Sequence, residues 1–256
     1  MDFGVYMPSG SADQIMQFQA VRASNLAGVS VPGFKAEIPF AERLQQALAV
    51  QPEVESQPRY DSRQMPLPAR SQTNFTPGPM KHTGRGLDVA IPGKGWLVVD
   101  VNGVEMLTRN GQLEVTGTGE VLTAGGLQVM GLRGPVVLPE YSKLTIGTDG
   151  VINIVPRGGQ ESEIVEAGRF MLVNPPEDQL QRQTGGMFRY VGNAALASDP
   201  DVEINSGVLE GANTDSVAEL MDFLALGREF EMNVRMMAAF SDMTVSGDKL
   251  LHEGNS

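Results

Sequence analysis

"LDVAIPGKGWLVVDVNGVEMLTRNGQLEV", residues 87–115, is a succession of short apolar, β-branched runs cut by turn signals. Asn102-Gly103 and Asn110-Gly111 each fall between two such runs, and Asp149-Gly150 repeats the pattern further along. Asn and Asp tolerate a left-handed backbone and Gly adopts it freely, so these dipeptides suit the tight loops of β-hairpins. "GPVVLPEYSKLTIGTDGVINIV" (134–155), "EIVEAGRFMLV" (163–173) and "GGMFRYVG" (185–192) keep the same habit. Short strands at this spacing predict an all-β central domain over residues 85–195, an antiparallel sandwich or barrel-like module.

On both sides of that module the apolar period changes from that of a strand to that of a helix. Residues 11–28 place Ala12, Ile15, Met16, Ala20, Ala23, Leu26 and Ala27 on one helical face, with Phe18 and Val21 on a second stripe. Ser9 or Ser11 suits the N-terminal cap and Gly28 a left-handed C-terminal cap. Pro32 then stops the helix and Gly33 permits a turn, so the chain leaves with a defined exit. Residues 36–50 predict a short helix, and 51–81 are Pro-rich with few periodic apolar positions, an extended and weakly packed linker. The other flank is helical from Asp215 to about Leu251, interrupted by Gly227 and Gly247. Leu220, Leu224, Gly227, Val234, Ala238 and Val245 fall in one sector, and Met221, Ala225, Met232, Ala239 and Met243 in the next. At 1.5 Å per residue such a helix is roughly 50 Å long, more than a β domain of this size can cover. The expected division is an N-terminal helical segment (1–35), a linker (36–84), the β-rich domain (85–195) and a C-terminal segment with the long helix (196–256). Two terminal helices of this kind can pack as an antiparallel pair, leaving further faces for neighbouring chains.

Composition narrows the function. The 256 residues carry 19 Lys and Arg against 31 Asp and Glu, a net charge of −12, which argues against a nucleic-acid or anionic-lipid partner. With no cysteine, there is no disulfide framework, thiolate metal site or cysteine nucleophile. The first fifteen residues hold Asp2 and Asp13 and no Lys or Arg, which is unlike a secretory signal peptide, and no run is long enough for a membrane span. The two histidines, His82 and His252, lie far from any nucleophile–base arrangement. "GKG" at 93–95 lacks the spacing of a phosphate loop, and Asp100, Asp149 and Asp178 lack that of a calcium loop. No catalytic residue, cofactor, metal or small-molecule substrate is expected.

Four segments, in order, carry a resemblance. "ASNLAGVSVPGFKA" (23–36), "GLDVAIPGKGWLVV" (86–99), "LTRNGQLEVTGTGEVLTAGGLQVMG" (107–131) and "INSGVLEGANTDSVAELMDFLALGREFEM" (204–232) resemble the motifs of the bacterial flagellar basal-body rod protein family. Gly28, Val31 and the Ala212-Asn213-Thr214 run depart from the family's commoner Asn, Thr and Ser-Asn-Val. The resemblance implies a structural subunit of the proximal rod that polymerises helically through its terminal helices and transmits motor torque. It implies as partners further copies of the chain, other rod proteins and the flagellar type III export apparatus. The location it implies is the basal body in the periplasm, reached without a cleaved signal peptide. A distal rod or other axial protein, and a secreted β-domain binding module, stay open as alternatives. The residues it marks for assembly are Ser24, Asn25, Leu26, Ala27, Pro32, Gly33 and Phe34 at the first turn. Near the C-terminus they are Gly207, Leu209, Glu210, Gly211 and Asn213, then Leu220, Leu224 and Val234 on the long helix. On this reading a Val at position 33 is expected to harm assembly more than folding of the β-rich part.

Overall fold

The run Trp96-Leu97-Val98-Val99 is apolar without alternation because it is buried on both sides of a sheet. Leu97 and Val99 point into a core shared with Leu113, Val121, Val129, Ile152, Ile154 and Phe170. Trp96 and Val98 point the other way, against Leu107, Val173 and Phe188. Phe75 meets Trp96 edge-on, with ring centroids 6.0 Å apart. The computed structural model describes residues 3–39, 71–159 and 163–253.

Two compact units divide the chain. One comprises residues 28–36 and 74–214, and the other residues 1–27, 37–73 and 215–256. The first, here the β unit, is entirely antiparallel. Its strands are β3 (Met80–His82), β4 (Val89–Ala90), β5 (Trp96–Val101), β6 (Val104–Thr108), β7 (Leu113–Val115), β8 (Val121–Thr123), β9 (Gln128–Gly131) and β10 (Gly134–Pro135). They continue with β11 (Tyr141–Ile146), β12 (Val151–Pro156), β13 (Val165–Arg169), β14 (Leu172–Val173), β15 (Leu180–Arg182), β16 (Phe188–Tyr190), β17 (Asn205–Ser206) and β18 (Val208–Glu210). The main sheet runs β15-β16-β6-β5-β9-β8-β7, with β10 on β9 and β14 on β5. A second sheet is β11-β12-β13, and two short ladders pair β17 with β4 and β18 with β3. The all-β central domain expected from the turn signals is therefore present.

Two of the three turn dipeptides make hairpins. Asn102 and Gly103 take φ of 56° and 81° and join β5 to β6 across the pair Val101–Val104. Gly150 (φ 79°) closes β11 onto β12, where Gly147 N–H donates to the Val151 carbonyl at 2.8 Å. Asn110-Gly111 does not. β6 pairs with β5 and β16, and β7 with β8. Gly111 is small for another reason: a Cβ there would sit 1.7 Å from the Val89 carbonyl oxygen.

The second unit holds α1 (Phe3–Gly28), α2 (Ser216–Glu253) and the antiparallel pair β1 (Glu37–Pro39) and β2 (Ser71–Thr73). α1 begins at Phe3, so neither Ser9 nor Ser11 is its cap. Gly28 has no left-handed φ; its missing Cβ makes room for the Phe34 ring, which would lie 2.2 Å away. The short helix expected over 36–50 does not start there, because residues 37–39 are strand; residues 40–50, and most of the expected linker, lie outside the described residues. Asp215 caps α2, its Oδ1 accepting the Val217 N–H at 2.8 Å. Gly227 and Gly247 do not interrupt that helix.

Within the subunit each helix shelters one stripe of side chains. On α1, Ala12 and Ile15 are buried and Leu26 half-buried, whereas Met16, Ala20, Ala23 and Ala27 face out. On α2 the sheltered positions are Glu219, Phe223, Leu226, Phe230, Asn233 and Met237. They alternate by four and three residues, a heptad seam that a scan for one broad apolar sector passes over. Leu220, Leu224 and Val234, and the neighbouring Met221, Met232 and Met243, remain exposed.

Candidate functional site

The first turn and the C-terminal strand meet inside the β unit. Gly33 sits at φ 69°, a left-handed conformation, and donates its N–H to the Glu210 carbonyl at 2.7 Å. Its α-carbon lies so close to the chain at Arg109 that a Cβ would be 2.2 Å from the Arg109 carbonyl oxygen. That turn projects Phe34 and Lys35 inward. The Arg182 guanidinium lies 4.6 Å from the Phe34 ring centroid and also donates to the Lys35 carbonyl.

At the centre are three charges, all buried. Glu210 Oε1 accepts Lys35 Nζ at 2.7 Å and the Gly78 N–H at 2.9 Å, and Oε2 accepts Arg109 Nη1 at 3.0 Å. The Lys35 and Glu210 side chains are each 1% exposed. Lys35 also donates to the Thr76 carbonyl, and Arg109 to those of Ile91 and Gly93. Arg109 Nε is buried without a partner, and its guanidinium lies 5.4 Å from the Trp96 ring. Beside this cluster Asn213 staples three segments: its Oδ1 accepts the Ala36 N–H, and its Nδ2 donates to the carbonyls of Asn74 and Thr76.

The electrostatics follow from one carboxylate serving two cations. Burial pushes the Glu210 carboxyl up, but the Lys35 hydrogen bond, the Arg109 charge and the Gly78 N–H outweigh it and hold the group below its ordinary value. Burial, aided by Arg109, pushes the Lys35 ammonium below its usual value despite the pull of Glu210. For Glu210 the sign is fixed: the unfolded chain takes up the proton first, so the stabilisation is complete above the ordinary value of 4.5 and is lost as pH falls through the folded one. The urea midpoint of the β unit is thus expected to fall as the solution is acidified below that value, and to fall less steeply in Glu210→Gln. Equal slopes in the two proteins would remove Glu210 from the account.

A second polar joint lies in the helical unit. Asn25, fully buried, pairs with the backbone of Glu37 as a neighbouring strand would: its Oδ1 accepts the Glu37 N–H and its Nδ2 donates to the Glu37 carbonyl, both at 2.8 Å. The same Nδ2 reaches Glu219 Oε1 at 3.0 Å. Arg22 bridges Glu219 and Asp222, each at 3.3 Å.

The residues marked by the sequence therefore fall into two groups. Asn25, Gly33, Phe34, Gly207 and Glu210 are buried, and Leu26, Pro32, Leu209, Gly211 and Asn213 are half-buried. Ser24, Ala27, Leu220, Leu224 and Val234 are exposed. Sequence reasoning missed Lys35, Arg109, Arg182, Arg22 and Glu219. Lys35 and Arg109 lie inside recognised motifs, but charged side chains read as solvated until a fold brings an acid to them.

Among the described residues no cluster of His, Asp and Glu is placed to hold a metal ion, and no helix is long and apolar enough to cross a membrane. Residues 90–154 match the family model described as the flagellar hook protein FlgE/F/G D1 domain, and residues 205–250 that of the flagellar basal body rod FlgEFG protein C-terminal. The chain is 36% identical to the flagellar basal-body rod protein FlgF of Salmonella typhimurium, over 98% of this chain and 99% of that one. The FlgF of Escherichia coli gives the same figures, 36% over 98% and 99%. The rod protein FlgG of Bacillus subtilis is 27% identical over 91% and 90% of the two chains.

Proposed function

The chain belongs to the flagellar basal-body rod protein family, close to its FlgF members, and on that premise we propose that it builds the proximal rod by helical polymerisation through its terminal helices. It is a structural subunit and not an enzyme. Its partners are other rod components, including further copies of itself, and its place is the flagellar basal body. Delivery by the type III export apparatus, without a cleaved signal peptide, and a periplasmic position complete the proposal.

One observation carries the assembly reading. Along α2 the side chains of Leu220 (45%), Leu224 (50%), Met232 (59%), Val234 (42%) and Met243 (68%) stand exposed. So many large apolar groups on one helix call for cover that the described residues do not supply. The pairing of α1 and α2 as an antiparallel, coiled-coil-like module is supported by the heptad seam and the Arg22–Glu219 bridge. It also fits Gly227, where a Cβ would lie 3.7 Å from the Gln19 amide. In this proposal residues 1–35 and 196–256 supply the assembly segments, 36–84 the connection and 85–195 the β-rich domain.

Leu224→Asp tests it. In the free subunit the new carboxylate meets water, so the thermal transition of the β unit is expected to stay within a degree or so of wild type. In a polymer the same charge is buried unpaired at every copy, at a cost of several kcal/mol per contact. Swimming and rod completion should be lost. Wild-type swimming would sink the interface assignment, and a lost β-unit transition would show that α2 belongs to the monomer's core.

A further inference from the structure

We propose that Asn102 is a site of spontaneous deamidation, and that the fold exposes this Asn-Gly pair to the chemistry while protecting the chain's second one. Asn102 is the one non-glycine residue of positive φ among the described residues, at 56°. Asn is among the few side chains that accept a left-handed backbone, so the two-residue turn itself sets this Asn-Gly pair at the hairpin tip. Asn102 and Gly103 are both exposed at the β5–β6 tip, and the space where a Gly103 Cβ would stand is open to 4 Å. The Gly103 N–H already donates to Asp100 Oδ1 at 2.9 Å, so a carboxylate stands at the nucleophilic nitrogen.

The steps balance with water as the sole co-reactant. The Gly103 nitrogen bonds to Asn102 Cγ as Asp100 draws off its proton, the Cγ–Nδ2 bond breaks, and that proton leaves with Nδ2 as ammonia. Water then opens the succinimide at either carbonyl, giving Asp or isoaspartate. Either product adds a carboxylate beside Asp100 and Glu105, which already face each other across the strands. Isoaspartate also lengthens the backbone of a loop that is only two residues long, mismatching the twist of its strands.

Asn110-Gly111 has the same chemistry and the opposite surroundings. Asn110 is half-buried, its Oδ1 accepts the Gln112 N–H at 3.1 Å, and its own N–H donates to Thr108 Oγ1 at 3.0 Å. Gly111 is wedged against the Val89 carbonyl, whose own N–H donates to the Gly111 carbonyl at 2.9 Å. Attack there requires the local ladder to open first.

The test is to age the purified full-length protein at physiological temperature and mildly alkaline pH in heavy-oxygen water, then map its peptides by mass spectrometry. Asn102 is expected to convert to a mixture of Asp and isoaspartate carrying the label. Conversion at Asn110 is expected to be about tenfold slower, the factor that one hydrogen bond's restraint imposes on a rate. In urea the two sites should converge. An intact Asn102 in the folded protein, or equal folded-state rates at the two sites, overturns the proposal. Asp100→Asn is expected to slow Asn102 severalfold; an unchanged or faster rate removes Asp100 from the step.

Discussion

Glu210→Ala is expected to cost the β unit about 3–5 kcal/mol, the loss that follows when one partner of a buried ion pair is removed. The substitution leaves the Lys35 ammonium and the Arg109 guanidinium facing each other with no anion between them. It also strips the Gly78 N–H of its acceptor. Urea denaturation of the full-length protein measures the effect as a lowered midpoint at unchanged slope. A companion variant, Lys35→Met with Arg109→Leu and Glu210→Leu, separates charge from packing. If the loss in Glu210→Ala comes from stranded cations, removing all three charges should recover most of it, since apolar replacements of buried ion pairs are often neutral or stabilising. A triple variant as unstable as the single one would assign the loss to the shape of the cavity.

Gly33→Val is expected to destabilise the β unit by about 2–5 kcal/mol, read as a lower urea midpoint, combining the penalty of a left-handed conformation with that of forced overpacking. At φ 69° a β-branched residue is strained, and the obstacle 2.2 Å from its Cβ is the backbone of Arg109, which cannot rotate aside. This revises the expectation drawn from sequence, in which the turn served assembly and the β-rich part folded without it. Gly33 belongs to the β unit, so the substitution should reach the unit's folding directly. A Gly33→Val protein that keeps its midpoint but fails to assemble would restore the earlier view.

Much of the architecture was legible in the chain because it rests on local rules. Asn102-Gly103 announced a hairpin through the φ values it alone accepts without a large penalty, and the structure has that hairpin. Asn110-Gly111 carried the same signal and misled, because there glycine answers to a close approach by Val89, a residue over twenty positions away. Gly28 misled in the same manner: it reads as a helix cap, but it clears the Phe34 ring. A glycine needed for conformation and a glycine needed for space look identical in a sequence.

The helices divide along the same line. Periodicity placed them, and Asp215 marked the start of α2. Which stripe is sheltered inside the subunit depends on what packs against it, so the half-buried row of Phe223, Leu226 and Phe230 emerges only from the fold, beside the exposed stripe of Leu220 and Leu224. Local rules in the chain were enough for the β-rich centre, the flanking helices, the two motif-bearing turns and, through those motifs, the family. That Lys35, Arg109 and Glu210 share one buried site follows from long-range packing alone. Their separations, 175 residues between Lys35 and Glu210 and 101 between Arg109 and Glu210, put the pairing beyond any local pattern. A charge in sequence carries no sign of its partner, and burial without one is so costly that the default reading is solvent. The fold reverses that default by bringing the first turn and β18 to the same place, where a single carboxylate satisfies both cations.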